Sequence, residues 1–375
     1  MPRTVYQRLA RHLDNLPGGF PPSPDGVEIR ILELLFRPDQ AELALHLSVI
    51  PAPPRAVARR AGIPANEAGR RLDEMARRGL ALCLPGKNGQ PPLYLANQYV
   101  IGIWEFSVNR LTPELVAHME AYIPTLFERD TWKQAPQLRT IPIGRSLDNA
   151  NPVLRYDQAE AIVRDRRRYL LAPCICRRER TLAGQGCDRP EETCLIFDAG
   201  AAYYAYMGIG RVIDRREALD LLQLAEERAM VLQPGNSRHP GNICICCPCC
   251  CGVLRTVRRD PCPSELTGSG YVARWDTAAC TACGACLKRC PMQALTAEKG
   301  KIRFDPARCI GCGLCVAACA PGALSLVSKP AAQRPKVPRH MVAAAFALAR
   351  IRGRLGPGRI ARILLEAGRD RIGVL

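Results

Sequence analysis

The chain lacks any apolar run near the 18 or so residues that a membrane span requires. Its longest candidate, "MVAAAFALA", is half that length and mostly alanine. The first twenty residues lack both a continuous apolar stretch and a small-residue cleavage site, so they do not read as a secretory signal. Acidic residues are in short supply: 35 Asp and Glu stand against 53 Lys and Arg, for a formal charge of +18. Eleven Lys/Arg against two acids fall in residues 329–375, which puts half of the excess in the tail. Such a tail points to an acidic partner, an anionic surface or nucleic acid.

Cysteine is abundant, with twenty in 375 residues. A secreted disulfide framework or a reducing compartment where thiols hold metal could each explain that number. With no export signal, the expected setting is the cytoplasm and the expected use is metal.

Residues 271–328 contain an internal repeat with a shift of 29. "ARWDTAACTACGACLKRCPMQAL" aligns with "IRFDPARCIGCGLCVAACAPGAL", and each half carries C-x2-C-x2-C-x3-C. This pattern resembles the bacterial two-cluster ferredoxin domain. A cubane needs four thiolates at tetrahedral corners, and one tight loop supplies three. The resemblance implies that Cys280, Cys283, Cys286 and Cys319 hold one [4Fe-4S] cluster, and that Cys309, Cys312, Cys315 and Cys290 hold the other. Gly284, Gly311 and Gly313 let the loops wrap closely. Pro291 follows Cys290 as in the family, whereas Ala320 separates Cys319 from Pro321. A zinc ribbon would instead use two separated C-x2-C pairs. The domain implies single-electron transfer and no acid–base pair, nucleophile or substrate pocket.

Ten more cysteines precede it: Cys174, Cys176, Cys187 and Cys194, then Cys244, Cys246, Cys247, Cys249, Cys250 and Cys251 within eight positions. Adjacent cysteines are poorly placed to bridge each other. Asp214 and Glu217 mark a helix start between the two groups, with Leu221, Leu222 and Ala225 at helical spacing. The arrangement resembles a group of multi-cluster iron–sulfur proteins of anaerobes, and its paired cysteines resemble the CCG segments of heterodisulfide-reductase-type proteins. One or two further iron–sulfur clusters, a zinc–thiolate site and free thiols are the alternatives. The ten outnumber the needs of one cubane. Cys83 and Cys262 stand apart as incidental thiols.

Residues 27–100 read as three helices and a hairpin, "LALCL" and "LYLAN" flanking a turn at 86–91. This resembles a winged helix–turn–helix domain. On the third helix Ala68, Leu72, Met75 and Gly79 form the inner face. Arg70, Arg71, Arg77 and Arg78 lie outside, interrupted by Glu67 and Glu74, with i,i+4 pairs Glu67–Arg71, Arg70–Glu74 and Glu74–Arg78. Carboxylates at the centre of a groove-reading face disfavour DNA.

The expected architecture is multi-domain α+β. A winged-helix-like domain (1–110) is followed by a helical connector (111–170) with a helix in "DQAEAIVRDRRRYLL". A mostly helical cysteine-rich domain (171–265), the ferredoxin domain (271–328) and a basic helical tail (329–375) complete the chain. The tail has apolar stripes at Val342, Ala345, Phe346 and Ala349, and at Ile360, Ile363 and Leu364. The expected role is electron relay within a larger redox system, with a protein partner docked through an acidic surface and no stand-alone catalytic site. The alternative is a redox-sensing DNA-binding regulator.

Overall fold

A computed structural model describes residues 4–86, 90–146, 153–298 and 301–356. The chain forms two compact units, Met1–Glu128 with Tyr206–Ile209 and Ala345–Leu375, and Arg129–Ala205 with Gly210–Ala344.

The first unit contains α1 (Val5–Asp14), α2 (Val27–Leu35), α3 (Pro38–Ala44), α4 (Pro54–Ala61), α5 (Ala65–Arg77), the antiparallel strands β1 (Ala81–Leu84) and β2 (Leu93–Ala96), and α6 (Pro113–Leu126). The residues 87–89 between the strands lie outside the described residues. Thr4 and Gln7 close a capping box at α1, satisfying amides that have no helical partner. Phe20 packs on Tyr99 and Tyr122 at centroid distances of 4.5 and 5.0 Å, and the Tyr122 hydroxyl donates to the Pro21 carbonyl at 2.7 Å. Ala68, Leu72, Met75 and Ala76 form the buried face of α5. Of the three expected pairs on α5, Glu67–Arg71 is present. Glu74 is instead held by Arg37 of the turn before α3, at 2.5 and 3.0 Å, because that guanidinium meets both carboxylate oxygens.

The second unit begins with α7 (Arg129–Gln134) and α8 (Ala159–Arg164). It continues through β3 (Tyr169–Pro173), α9 (Ile175–Leu182), β4 (Glu192–Phe197), α10 (Asp198–Tyr206), β5 (Arg211–Ile213), α11 (Arg215–Glu227), β6 (Val231–Pro234), β7 (Asn242–Cys246), α12 (Gly252–Arg259) and α13 (Pro263–Leu266). The five strands form one antiparallel sheet in the order β5-β3-β4-β7-β6. The helices of this segment are present, but a sheet carries Cys194, Cys244 and Cys246, and a mostly helical reading missed it. The helix expected in "DQAEAIVRDRRRYLL" ends at Arg164, and "YLLAP" is a strand. Side chains alternate across a strand. Leu171, Leu195, Ile243 and Ile245 therefore share one apolar face, and Cys194, Cys244 and Cys246 share the other.

The C-terminal part of this unit contains β8 (Tyr271–Trp275), α14 (Ala285–Arg289), β9 (Leu295–Glu298), β10 (Lys301–Phe304), α15 (Leu314–Ala317) and β11 (Leu324–Ser328). β8 pairs with β11, and β9 with β10, both antiparallel. The 29-residue repeat recurs in the backbone. Ala282, Gly284 and Gln293 have positive φ, as do Gly311, Gly313 and Gly322.

A last helix, α16 (Met341–Ile351), follows. Its buried residues are Leu348 and Ala349, whereas Val342 and Phe346 of the expected stripe stay exposed at 61% and 59%. Arg352 and Arg354 bond Asp14 and Asn15 of the first unit, so these two tail cations are used within the chain. The stripe at Ile360, Ile363 and Leu364 lies outside the described residues. Among the described residues no helix is long and apolar enough to cross a membrane.

Candidate metal centres

Two pockets lie in the repeat. Cys280, Cys283, Cys286 and Cys319 line one, with Trp275 and Ile302, around about 340 Å³ of empty space that is partly open to solvent. Cys290, Cys309, Cys312 and Cys315 line the other, with Phe304 and Leu326, around about 350 Å³. Each pocket takes three thiols from its own loop and one from the other half.

Gly284 and Gly313, both at φ +75°, start α14 and α15 and turn each loop back on itself. At Gly311 a Cβ would lie 2.3 Å from the Tyr271 carbonyl oxygen, so the close approach of β8 excludes a side chain. Backbone amides also point at sulfur: Ala273 donates to Cys309 Sγ at 3.4 Å, and Ala294 to Cys290 Sγ at 3.2 Å. Such bonds help a thiolate ligand carry its charge. Thiols spaced around a hollow, with amides directed at them, fit an iron–sulfur cluster. The two pockets differ in depth, since Cys283 is exposed whereas Cys309, Cys312 and Cys315 are buried. The amide of Ala285 and the Thr281 hydroxyl lower the Cys283 thiol, and burial raises Cys312.

The ten earlier cysteines separate into two groups. Cys187, Cys247, Cys249 and Cys250 bring their four sulfurs within 4.8 Å of one another. Cys187 lies 3.8 Å from Cys247 and 3.5 Å from Cys250, and Cys250 lies 4.0 Å from Cys249. A turn closed by the Cys251 amide on the Cys247 carbonyl, at 3.1 Å, gathers three of them. Cys187 comes from the loop after α9. Burial opposes its ionisation, but the Arg189 amide and the thiols of Cys250, Cys249 and Cys247 lower it to about 6. Burial raises Cys249 to about 11. Arg189 Nη1 lies 3.6 Å from Cys249 Sγ.

The remaining six, Cys174, Cys176, Cys194, Cys244, Cys246 and Cys251, lie on β4 and β7 and at the starts of α9 and α12. Cys194 and Cys244 are register partners across β4 and β7, and Cys246 follows on the same face. Cys174 caps α9, Cys176 lies in its first turn, and Cys251 caps α12. Cys83 is buried on β1, and Cys262 is half-buried before α13.

Sequence reading alone missed the polar residues around these thiols. Asn242 Nδ2 donates to Cys244 Sγ at 3.4 Å, and the buried Gln233 donates through Nε2 to Cys251 Sγ at 3.7 Å. Arg177, 4% exposed, bonds the Thr193 hydroxyl, the Met230 sulfur and the Ile245 carbonyl. Burial opposes its charge, but the sulfurs of Cys174, Cys247 and Cys246 overcome that and raise its pKa. The signal available in the sequence was strand parity: Asn242, Cys244 and Cys246 recur at period two.

A family model described as the 4Fe-4S dicluster domain matches residues 279–336. No curated protein and no solved structure matches the chain. The C-terminal part of the second unit is thus a ferredoxin-like iron–sulfur domain, accompanied by a four-cysteine metal-binding site.

Proposed function

We propose that this protein is an electron carrier that passes single electrons through two [4Fe-4S] clusters as one component of a larger redox system. Cys280, Cys283, Cys286 and Cys319 hold the first, and Cys309, Cys312, Cys315 and Cys290 the second. The observation that carries this reading is the crossed lining of the two pockets. A fourth ligand that crosses from the other half keeps the clusters in one small domain, where each accepts one electron and passes it to the other. The exposed Cys283 makes the first cluster the exchange point with a partner, and the buried set makes the second the interior station. The +18 charge favours a partner with an acidic docking surface, with encounter slowed by salt. A reducing cytoplasm suits a chain whose twenty cysteines are all free.

Anaerobic EPR titration tests the reading. Two low-potential one-electron signals are expected. Cys280→Ser removes one and perturbs the other, because serine is a harder ligand. A Cys280→Ser/Cys309→Ser double variant that kept full iron and both signals would overturn the assignment.

The order of three helices and a hairpin in α3–β2 supports a second reading, a winged-helix regulator that binds DNA. The charge pattern disfavours it. Arg37, Arg71 and Arg77 are held by Glu74, Glu67 and Asp73 on or beside α5. Sequence-selective duplex binding that weakens with salt would favour the regulator.

A further inference from the structure

The run from Cys244 to Cys251 feeds two groups of thiols with different spacing. A tetrahedral ion with metal–sulfur bonds of about 2.3 Å sets its ligand sulfurs about 3.8 Å apart. Three separations in the Cys187 group, 3.5, 3.8 and 4.0 Å, match that geometry. A cubane places four irons between its thiolates and so holds them farther apart. The ferredoxin pockets supply an internal comparison. Their eight thiols line hollows, and among the described residues only the Cys187 group converges within 4.8 Å.

The other six thiols do not converge in that way, yet they are linked in series. Cys194 and Cys244 face each other across β4 and β7, and Cys246 follows on the same face. Gln233, the partner of Cys244 on β6, reaches Cys251 at 3.7 Å. The Cys174 amide bonds the Glu191 carbonyl just before β4 at 2.8 Å, and Cys176 follows in the first turn of α9. Cys246 and Cys251 are buried and the other four half-buried. The surroundings suit anionic sulfur. Two amides, Asn242 and Gln233, donate to the ring. The buried Arg177 bonds the Thr193 hydroxyl, the Met230 sulfur and the Ile245 carbonyl, and against the cost of burial the sulfurs of both groups, Cys174 and Cys246 of the ring and Cys247 of the other, favour its charge. A buried cation without an anion is costly, and thiolates supply that anion.

We propose that the ten cysteines build two centres of different nuclearity: a single thiophilic divalent ion on Cys187, Cys247, Cys249 and Cys250, and a polynuclear iron–sulfur cluster inside the ring of Cys174, Cys176, Cys194, Cys244, Cys246 and Cys251. Strand parity and the turn after β7 divide the run. Cys244, Cys246 and Cys251 serve the ring, and Cys247, Cys249 and Cys250 serve the ion. A cluster needs four of the ring thiols, and the remaining two are available to a larger or unusual cluster. The ring lies one short helix from the ferredoxin domain. Cys251 caps α12, and the far end of α12 receives Arg308, the neighbour of Cys309, on the Arg258 and Asp260 carbonyls at 2.8 and 3.3 Å. Eight residues at helical rise span about 12 Å. The inference does not depend on the ferredoxin reading, which concerns the other eight cysteines.

The test uses the full chain, purified and reconstituted without oxygen, with metal and acid-labile sulfide counted per chain. Cys187→Ser/Cys249→Ser is expected to lose one metal ion and no sulfide. Cys194→Ser/Cys246→Ser is expected to lose about four irons together with their sulfide. The ferredoxin EPR signals, retained in both, report that the chain has folded. Should the ring variant misfold, the Cys187→Ser/Cys249→Ser chain provides a second measurement of the cluster, since about twelve irons with matching sulfide are expected there and about eight would overturn it. Co²⁺ added to the metal-free wild type tests the ion site. One equivalent with tetrahedral tetrathiolate absorption, abolished by Cys249→Ser, is expected. Sulfide lost with Cys187 and Cys249, or a folded ring variant with unchanged iron and sulfide, would overturn the proposal. So would failure of Co²⁺ to give that spectrum.

Discussion

Arg189 joins Cys249 to the end of α11: its Nη1 lies 3.6 Å from the Cys249 sulfur while its Nε donates to the Arg228 carbonyl at 3.1 Å. Arg289, next to Cys290, uses the same turn, donating to the Glu227 and Glu226 carbonyls at 3.0 and 2.5 Å. Unpaired carbonyls at a helix end attract cations, so one helix terminus anchors both the four-thiol group and the ferredoxin loop. Loss of a group that supports a metal ligand typically costs 10- to 100-fold in affinity. Arg189→Met is therefore expected to weaken Zn²⁺ or Co²⁺ binding at the Cys187 group by that factor. Competition with a chelator measures it, and unchanged ferredoxin EPR shows that the effect is local.

Gly311 and Ala282 occupy equivalent places in the repeat, and both have positive φ. A Cβ at Gly311 would strike the Tyr271 carbonyl. Gly311→Ala should therefore displace β8 or the Cys309 loop and lower iron at the buried cluster, read as loss of one EPR signal. Ala282→Gly relieves about 1 kcal/mol of left-handed strain, which glycine's greater chain entropy largely offsets. That variant should keep both signals and nearly unchanged stability.

Asp14 receives both Arg352 and Arg354, and its side chain is only 15% exposed. Hydrogen bonds to charged groups contribute about 1.5–3 kcal/mol each when buried. Asp14→Ala should destabilise the first unit by about 2 kcal/mol, in denaturant melts, and should make residues 345–356 sensitive to trypsin. Cluster content should not change.

Glu105 accepts the Gly102 amide at 2.7 Å, and burial raises its carboxyl to about 7. Folding then favours the protonated acid. Its contribution is fully present below the unfolded value near 4.5 and is lost as pH rises through 7. A shift of this size corresponds to about 3 kcal/mol. Relative to Glu105→Gln, the wild type should match at pH 4 and be less stable by up to that amount at pH 8. Hydrogen exchange in α6 measures the difference within the first unit.

The ferredoxin domain was legible in the sequence because its chemistry is local. Three ligands within seven positions, repeated after 29, leave little freedom in how the loop can wrap a cluster. The inner face of α5 was legible for a similar reason, since period 3.6 places Ala68, Leu72 and Met75 on one side. Glu74 was not, because its partner Arg37 lies far away in the chain and neighbouring arginines compete for it. The ten middle cysteines show the limit most clearly. Composition alone pointed to metal. Which thiols share a centre depended on Cys194 meeting Cys244 across two strands and on a turn that directs Cys247 and Cys251 to different groups. Pairing between strands is a long-range contact, fixed by the burial of Leu195, Ile243 and Ile245 on the opposite face. A one-residue slip would exchange the faces, so the tertiary structure, not the spacing of the cysteines, decides which sulfurs meet.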